Sequence, residues 1–98
     1  MDAGTKKAVC ALLRRIAGQV KAIDHMVETD RDCIELMHQL DAVQAALGKT
    51  GEVVFRSHLQ TWVNDALRTG DEQACNRKVE QTIAVFARYR RITSGGRS

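Results

Sequence analysis

Apolar side chains recur at three- and four-residue steps along most of this chain, the signature of helices that each turn one face away from water. Val9, Leu12, Leu13, Ile16, Val20, Ile23 and Val27 form one such stripe and predict a first helix from about Thr5 to Glu28. The polar run Thr29-Asp30-Arg31-Asp32 interrupts it with residues that favour helix caps, so a second helix is expected to begin near Cys33. Ile34, Met37, Leu40, Val43, Leu47, Val54, Leu59 and Val63 carry that helix towards Leu67. Gly48 and Gly51 weaken it by about 1 kcal/mol each relative to alanine. A break there, folding the segment into a hairpin, is the rival reading. The long helix is preferred because the chain has no proline and the apolar phase persists on both sides of the glycines. Thr69-Gly70-Asp71-Glu72 ends it, and Ala74 to Ile92 reads as a third helix with Val79, Ile83 and Phe86 inward. Residues 94–98 read as a frayed tail, leaving 1–93 as a single three-helix, all-α domain.

Composition limits how such a domain can be stable. The chain has 98 residues, 44% of them hydrophobic but only 4% aromatic, and a three-helix chain this short commonly completes its core by oligomerising. The formal charge of +3 and a pI near 9.0 permit nucleic-acid binding without requiring it. No apolar run approaches the roughly 18 residues of a membrane span, and MDAGTKKAVC lacks a signal-peptide pattern. Three irregularly spaced cysteines argue against a disulfide framework and for a reducing cytoplasm. Cys10 and Cys75 read as buried, inert thiols, the ordinary fate of cytoplasmic cysteine.

Cys33 and His58 are the chemically informative pair. They stand 25 residues apart in the expected second helix. At about 100° per residue, that spacing returns the second side chain to within roughly 20° of the first, while separating the two by roughly 37 Å along the axis. The two share a face but cannot meet within one straight helix. They can meet across an antiparallel copy, Cys33 of one chain against His58 of another, which predicts a dimer with two equivalent sites. Ala42, Ala45, Ala46 and Gly48 are small enough for two helices to cross near the midpoint such a pairing requires. Cys33 also falls in the first turn of its helix, where the dipole favours a thiolate and Asp30 and Asp32 oppose it. Trp62 follows His58 by one turn, where histidine or cysteine would complete a three-ligand site. Indole has no lone pair to offer a metal, so Trp62 reads as an apolar lid. His25 and His38 read as ordinary surface or interface residues.

The basic residues are also patterned. Lys7, Arg14 and Lys21 are spaced by seven with Arg15 beside them, and Lys49 and Arg56 repeat the spacing on the second helix. Such a stripe is commonly a solvated face. Repeated over a symmetric oligomer, it becomes a surface able to neutralise several phosphates. There is no helix-turn-helix pattern, zinc-finger spacing or RNA-binding aromatic motif. Nor is there a phosphate-binding glycine loop or paired acid–base constellation, so an enzyme is not expected.

Leu13-Arg-Arg-Ile-Ala-Gly-Gln-Val20 resembles the first-helix signature of the CsoR/RcnR/FrmR family of small bacterial repressors. Asp32-Cys33, Gln39-Leu-Asp-Ala-Val43 and Ser57-His58-Leu59 resemble its second helix with the spacing preserved, so the likeness covers roughly residues 6 to 68. The resemblance implies an antiparallel four-helix-bundle-type dimer, paired into a flat tetramer, that binds double-stranded operator DNA through basic helix faces and releases it when an effector occupies the intersubunit site. It implies that Cys33 is the sensing thiol and His58 the second ligand. Arg14, Arg15, Gln19 and Lys49 fall on or beside positions that contact DNA, and Glu80 corresponds to an acid supporting the site from the third helix. The effector expected by family default is a thiophilic metal: Cu(I), or Zn(II), Co(II) or Ni(II). At position 62, however, copper and persulfide sensors of the family carry cysteine, and nickel or cobalt sensors carry histidine. The formaldehyde sensor keeps cysteine and histidine alone, and so is nearest in site chemistry, but it also uses an N-terminal proline where this chain has Met1-Asp2. Formaldehyde, another electrophile or a reactive sulfur species acting on Cys33 is therefore the alternative effector. A helical dimerisation module without DNA binding is the remaining alternative.

Overall fold

A computed structural model describes the backbone of residues 1–94 and the side chains of residues 1–88. Three helices follow one another: α1 (Ala3–Glu28), α2 (Cys33–Thr69) and α3 (Glu72–Ser94), with no strand among the described residues. Ser94 belongs to α3, and the rest of the expected tail lies outside the described residues. α2 runs unbroken through Gly48 and Gly51, which overturns the hairpin alternative.

Each boundary has a local cause. Asp2 caps α1, its carboxylate accepting from the Thr5 N–H at 2.6 Å, and that hydrogen bond holds the carboxyl below its ordinary pKa. α1 ends in a Schellman-type turn. The Arg31 N–H reaches back to the Met26 carbonyl at 3.0 Å and the Asp30 N–H to Val27 at 3.2 Å. Asp30 takes the left-handed conformation this requires, φ 56°, which aspartate tolerates better than most residues. The Asp32 carbonyl then accepts the first bond of α2 from the Leu36 N–H, so Cys33 stands at the first helical position. Gly70, at φ 79°, stops α2 in the same left-handed manner. Asp71 caps α3 by accepting from the Ala74 N–H at 3.0 Å.

The chain divides into two compact units, residues 1–54 and 55–98. In the first, Ile16 and Ile23 of α1 pack with Val43 of α2, and Leu36 and Ala46 lie against them. Burying each such side chain contributes about 1.5–3 kcal/mol. Val9 and Thr50 are also buried, and the Thr50 hydroxyl donates to the Ala46 carbonyl at 2.8 Å. Ala46 thus serves the chain's own core, while Ala42 and Ala45 face outward. In the second unit the core is aromatic and only half-buried: Phe55 of α2 meets Phe86 of α3 edge-on, with ring centres 5.8 Å apart.

Several expected core residues face solvent in the single chain. Leu13, Val20 and Val27 on α1, and Ile34, Met37, Leu40 and Leu47 on α2, are all exposed. Ile83 is 54% exposed, and the inward stripe of α3 passes instead through Cys75, Val79, Thr82 and Phe86. Cys10 is exposed and Cys75 half-buried, correcting the expectation of two buried thiols. Cys10 departs from it because it lies beside Val9, one residue off the buried stripe of α1. No described helix is long and apolar enough to cross a membrane.

Candidate functional site

The Cys33 thiol sits exposed at the start of α2. Arg31, two residues earlier, pairs with Glu35 across the helix start. His58 lies on the same helix in the second unit and is half-buried. Its imidazole stacks on Trp62, ring centres 5.9 Å apart and planes inclined by 27°. Helix geometry brings the two together, because residues four apart occupy one face. Phe55 fixes the indole from the preceding turns at 6.2 Å, and Lys78 of α3 places its ammonium 5.9 Å from the indole centroid. That distance is within the range of a cation–π contact. Cys75 and Lys78 line a small cleft of about 90 Å³ with Trp62, Asp65 and Asp71.

Among the described residues, no group of three or more His, Cys, Asp or Glu could hold a metal ion within one chain. Glu80 is exposed on α3, and its carboxylate makes no hydrogen bond or ion pair with another described residue. His25 and His38 are exposed.

The basic residues form a more local arrangement. Arg15 and Gln19 of α1 and Lys49 of α2 line one cleft of about 250 Å³, floored by Leu12, Ile16 and Ala46. Arg15 and Gln19 are one helical turn apart, so both reach the groove that Lys49 approaches from α2. Lys7, Arg14 and Lys21 are exposed on α1, and Arg56 is exposed on α2 within the second unit.

The family model for a metal-sensitive transcriptional repressor matches residues 5–88. The chain belongs to that family. It is a metal-sensing repressor rather than an enzyme. The chain is 36% identical over 85 residues to the copper-sensing transcriptional repressor CsoR of Bacillus subtilis, a match covering 86% of this chain and 80% of that protein. It is 34% identical over 73 residues to the copper-sensing transcriptional repressor RicR of Mycobacterium tuberculosis, covering 74% and 76%. CsoR of the same organism is 33% identical over 69 residues, and there the match covers 70% of this chain but only 58% of the relative's length. No solved structure is significantly similar.

Within this repressor the aromatic neighbourhood of His58 was only partly foreseeable. The four-residue step to Trp62 was visible along one helix. The approach of Lys78 and Phe86 depends on how α3 packs within its unit, and the only signal for it was the apolar stripe ending at Phe86.

Proposed function

We propose that this repressor binds operator DNA through the Arg15–Gln19–Lys49 cleft and releases it when Cu(I) is held between Cys33 of one subunit and His58 of another. The observation that carries the reading is the donor set. On the face that carries Cys33, α2 offers one exposed thiol and one imidazole, His58, with indole where a third donor would stand; His38, five residues from Cys33, is turned well off that face. Thiolate selects soft ions, and Cu(I) accepts two donors, whereas Zn(II) sites almost always use four ligands and Co(II) and Ni(II) also need a fuller set. The copper-sensing relatives support the same choice, and none of them favours formaldehyde. When bound, the metal supplies charge and a bond between two subunits. The protein's part is to present Cys33 free of burial and to hold the His58 ring against Trp62.

On the DNA side, Arg15 and Lys49 supply positive charge, and the Gln19 amide can donate to a phosphate oxygen. The remaining exposed cations, Lys7, Arg14, Lys21 and Arg56, extend the surface in a symmetric dimer or tetramer. Such contacts release counterions, so affinity falls steeply with salt.

The test is a titration of a promoter fragment from the gene's own neighbourhood, with and without Cu(I). Arg15→Ala and Lys49→Ala should each weaken binding and lower the salt slope by about one. Cu(I) should release DNA from the wild type but not from Cys33→Ser. Salt-insensitive binding, or release that survives Cys33→Ser, would refute the proposal.

A further inference from the structure

Trp62 occupies the position of a missing donor, yet it is not inert towards charge. Its ring is approached by a cation in this structure, the Lys78 ammonium at 5.9 Å, and tryptophan offers the strongest π-face for that purpose. His58 flanks the same indole at the same 5.9 Å separation, with its plane inclined by 27°. The imidazole lone pairs lie in the ring plane, so charge gathered at His58 arrives beside the indole. Phe55 lies against the indole and is itself backed edge-on by Phe86. Lys78 has no carboxylate paired with it among the described residues, although Asp65 and Asp71 line the same small cleft.

From this juxtaposition we infer that Trp62 is a cation platform of the effector site, occupied by Lys78 when His58 is free and shared with the metal when His58 is engaged. The inference rests on the Cys33–His58 reading above and adds to it a third contact that is not a lone-pair donor. Two cations on one π-system weaken each other whether they share a face or take opposite ones. His58 engagement therefore loosens Lys78, and with it the hold of α2 on α3 at this point. Effector occupancy is thereby coupled to α3.

The size of the effect follows from the contact. A cation–π interaction at a partly exposed site corresponds to about a two- to fivefold change in an equilibrium constant. Lys78→Met should thus tighten Cu(I) binding two- to fivefold, because the resident cation is gone, while Lys78→Arg should behave as the wild type. Trp62→Leu should weaken binding by a similar factor, and Trp62→Phe by less.

The experiment measures Cu(I) affinity anaerobically against a chromophoric Cu(I) chelator, in a double-mutant cycle of Lys78→Met and Trp62→Leu. The tightening by Lys78→Met should vanish in the Trp62→Leu background. Trp62 is the chain's sole tryptophan, so its fluorescence should be quenched as Cu(I) is added to the wild type and stay unchanged in Cys33→Ser. An equal Lys78→Met effect in both backgrounds, or no effect in either while the wild type binds Cu(I), overturns the platform. Wild-type affinity in Cys33→Ser overturns the Cys33–His58 site instead, so the two failures are separable.

Discussion

The gap between a two-donor and a three-donor site is one side chain wide. Trp62 carries a single N–H donor and no acceptor for a metal, while its neighbour His58, the imidazole of the proposed site, is half-buried. Trp62→Cys restores the missing lone pair on the same helical face. Loss of a supporting partner in a metal site commonly costs 10–100-fold, so an added direct ligand should raise Cu(I) affinity by on the order of 100-fold. Chelator competition measures this, and an unchanged affinity would mean that position 62 does not face the ion. At this scale the sequence was informative about Cys33, His58 and Trp62, because their types and shared phase can be read along one helix. It was silent on Lys78, sixteen residues beyond Trp62, because that contact depends on the packing of a second helix.

The helices were legible to within two residues at each end, and the observed ends are marked by side chains with a local reason to be there. Asp2 and Asp71 accept from backbone donors, and Asp30 and Gly70 take positive φ. What periodicity could not separate was Ile83 from Thr82. Both follow Val79 by about one turn, and hydrophobicity favoured the isoleucine although the threonine is the half-buried one. Gly18 gives the element scale a test. It lies inside α1 with nothing within 4 Å of an added Cβ. Gly18→Ala should stabilise the protein by about 1 kcal/mol, the helix-propensity difference alone. Urea unfolding would show it as a higher midpoint at unchanged slope. A lower midpoint would instead place a partner's backbone against Gly18 in the assembled protein.

At the scale of the whole molecule, the single chain has little interior. Val9, Ile16, Ile23, Val43 and Thr50 are buried in the first unit, and among described residues the second unit has none as deeply covered. Meanwhile Leu13, Val20 and Val27 repeat at sevens along an exposed α1 face, and Ile34, Met37, Leu40 and Leu47 lie exposed on α2. Such a chain should be stable only by pairing, so its unfolding midpoint should depend on concentration. For a dimer, each tenfold dilution removes about 1.4 kcal/mol of apparent stability. A midpoint that ignores dilution, together with a monomeric mass by light scattering, would rule out the intersubunit site. The unbroken course of α2 has one more consequence, a genetic one. In the proposed intersubunit arrangement a single helix bears the thiol of one site and the imidazole of the other, so Cys33→Ser and His58→Ala should be defects that complement. A cell carrying both alleles would assemble mixed pairs with one intact site and one lacking both donors, and regain a partial response that neither allele supports alone.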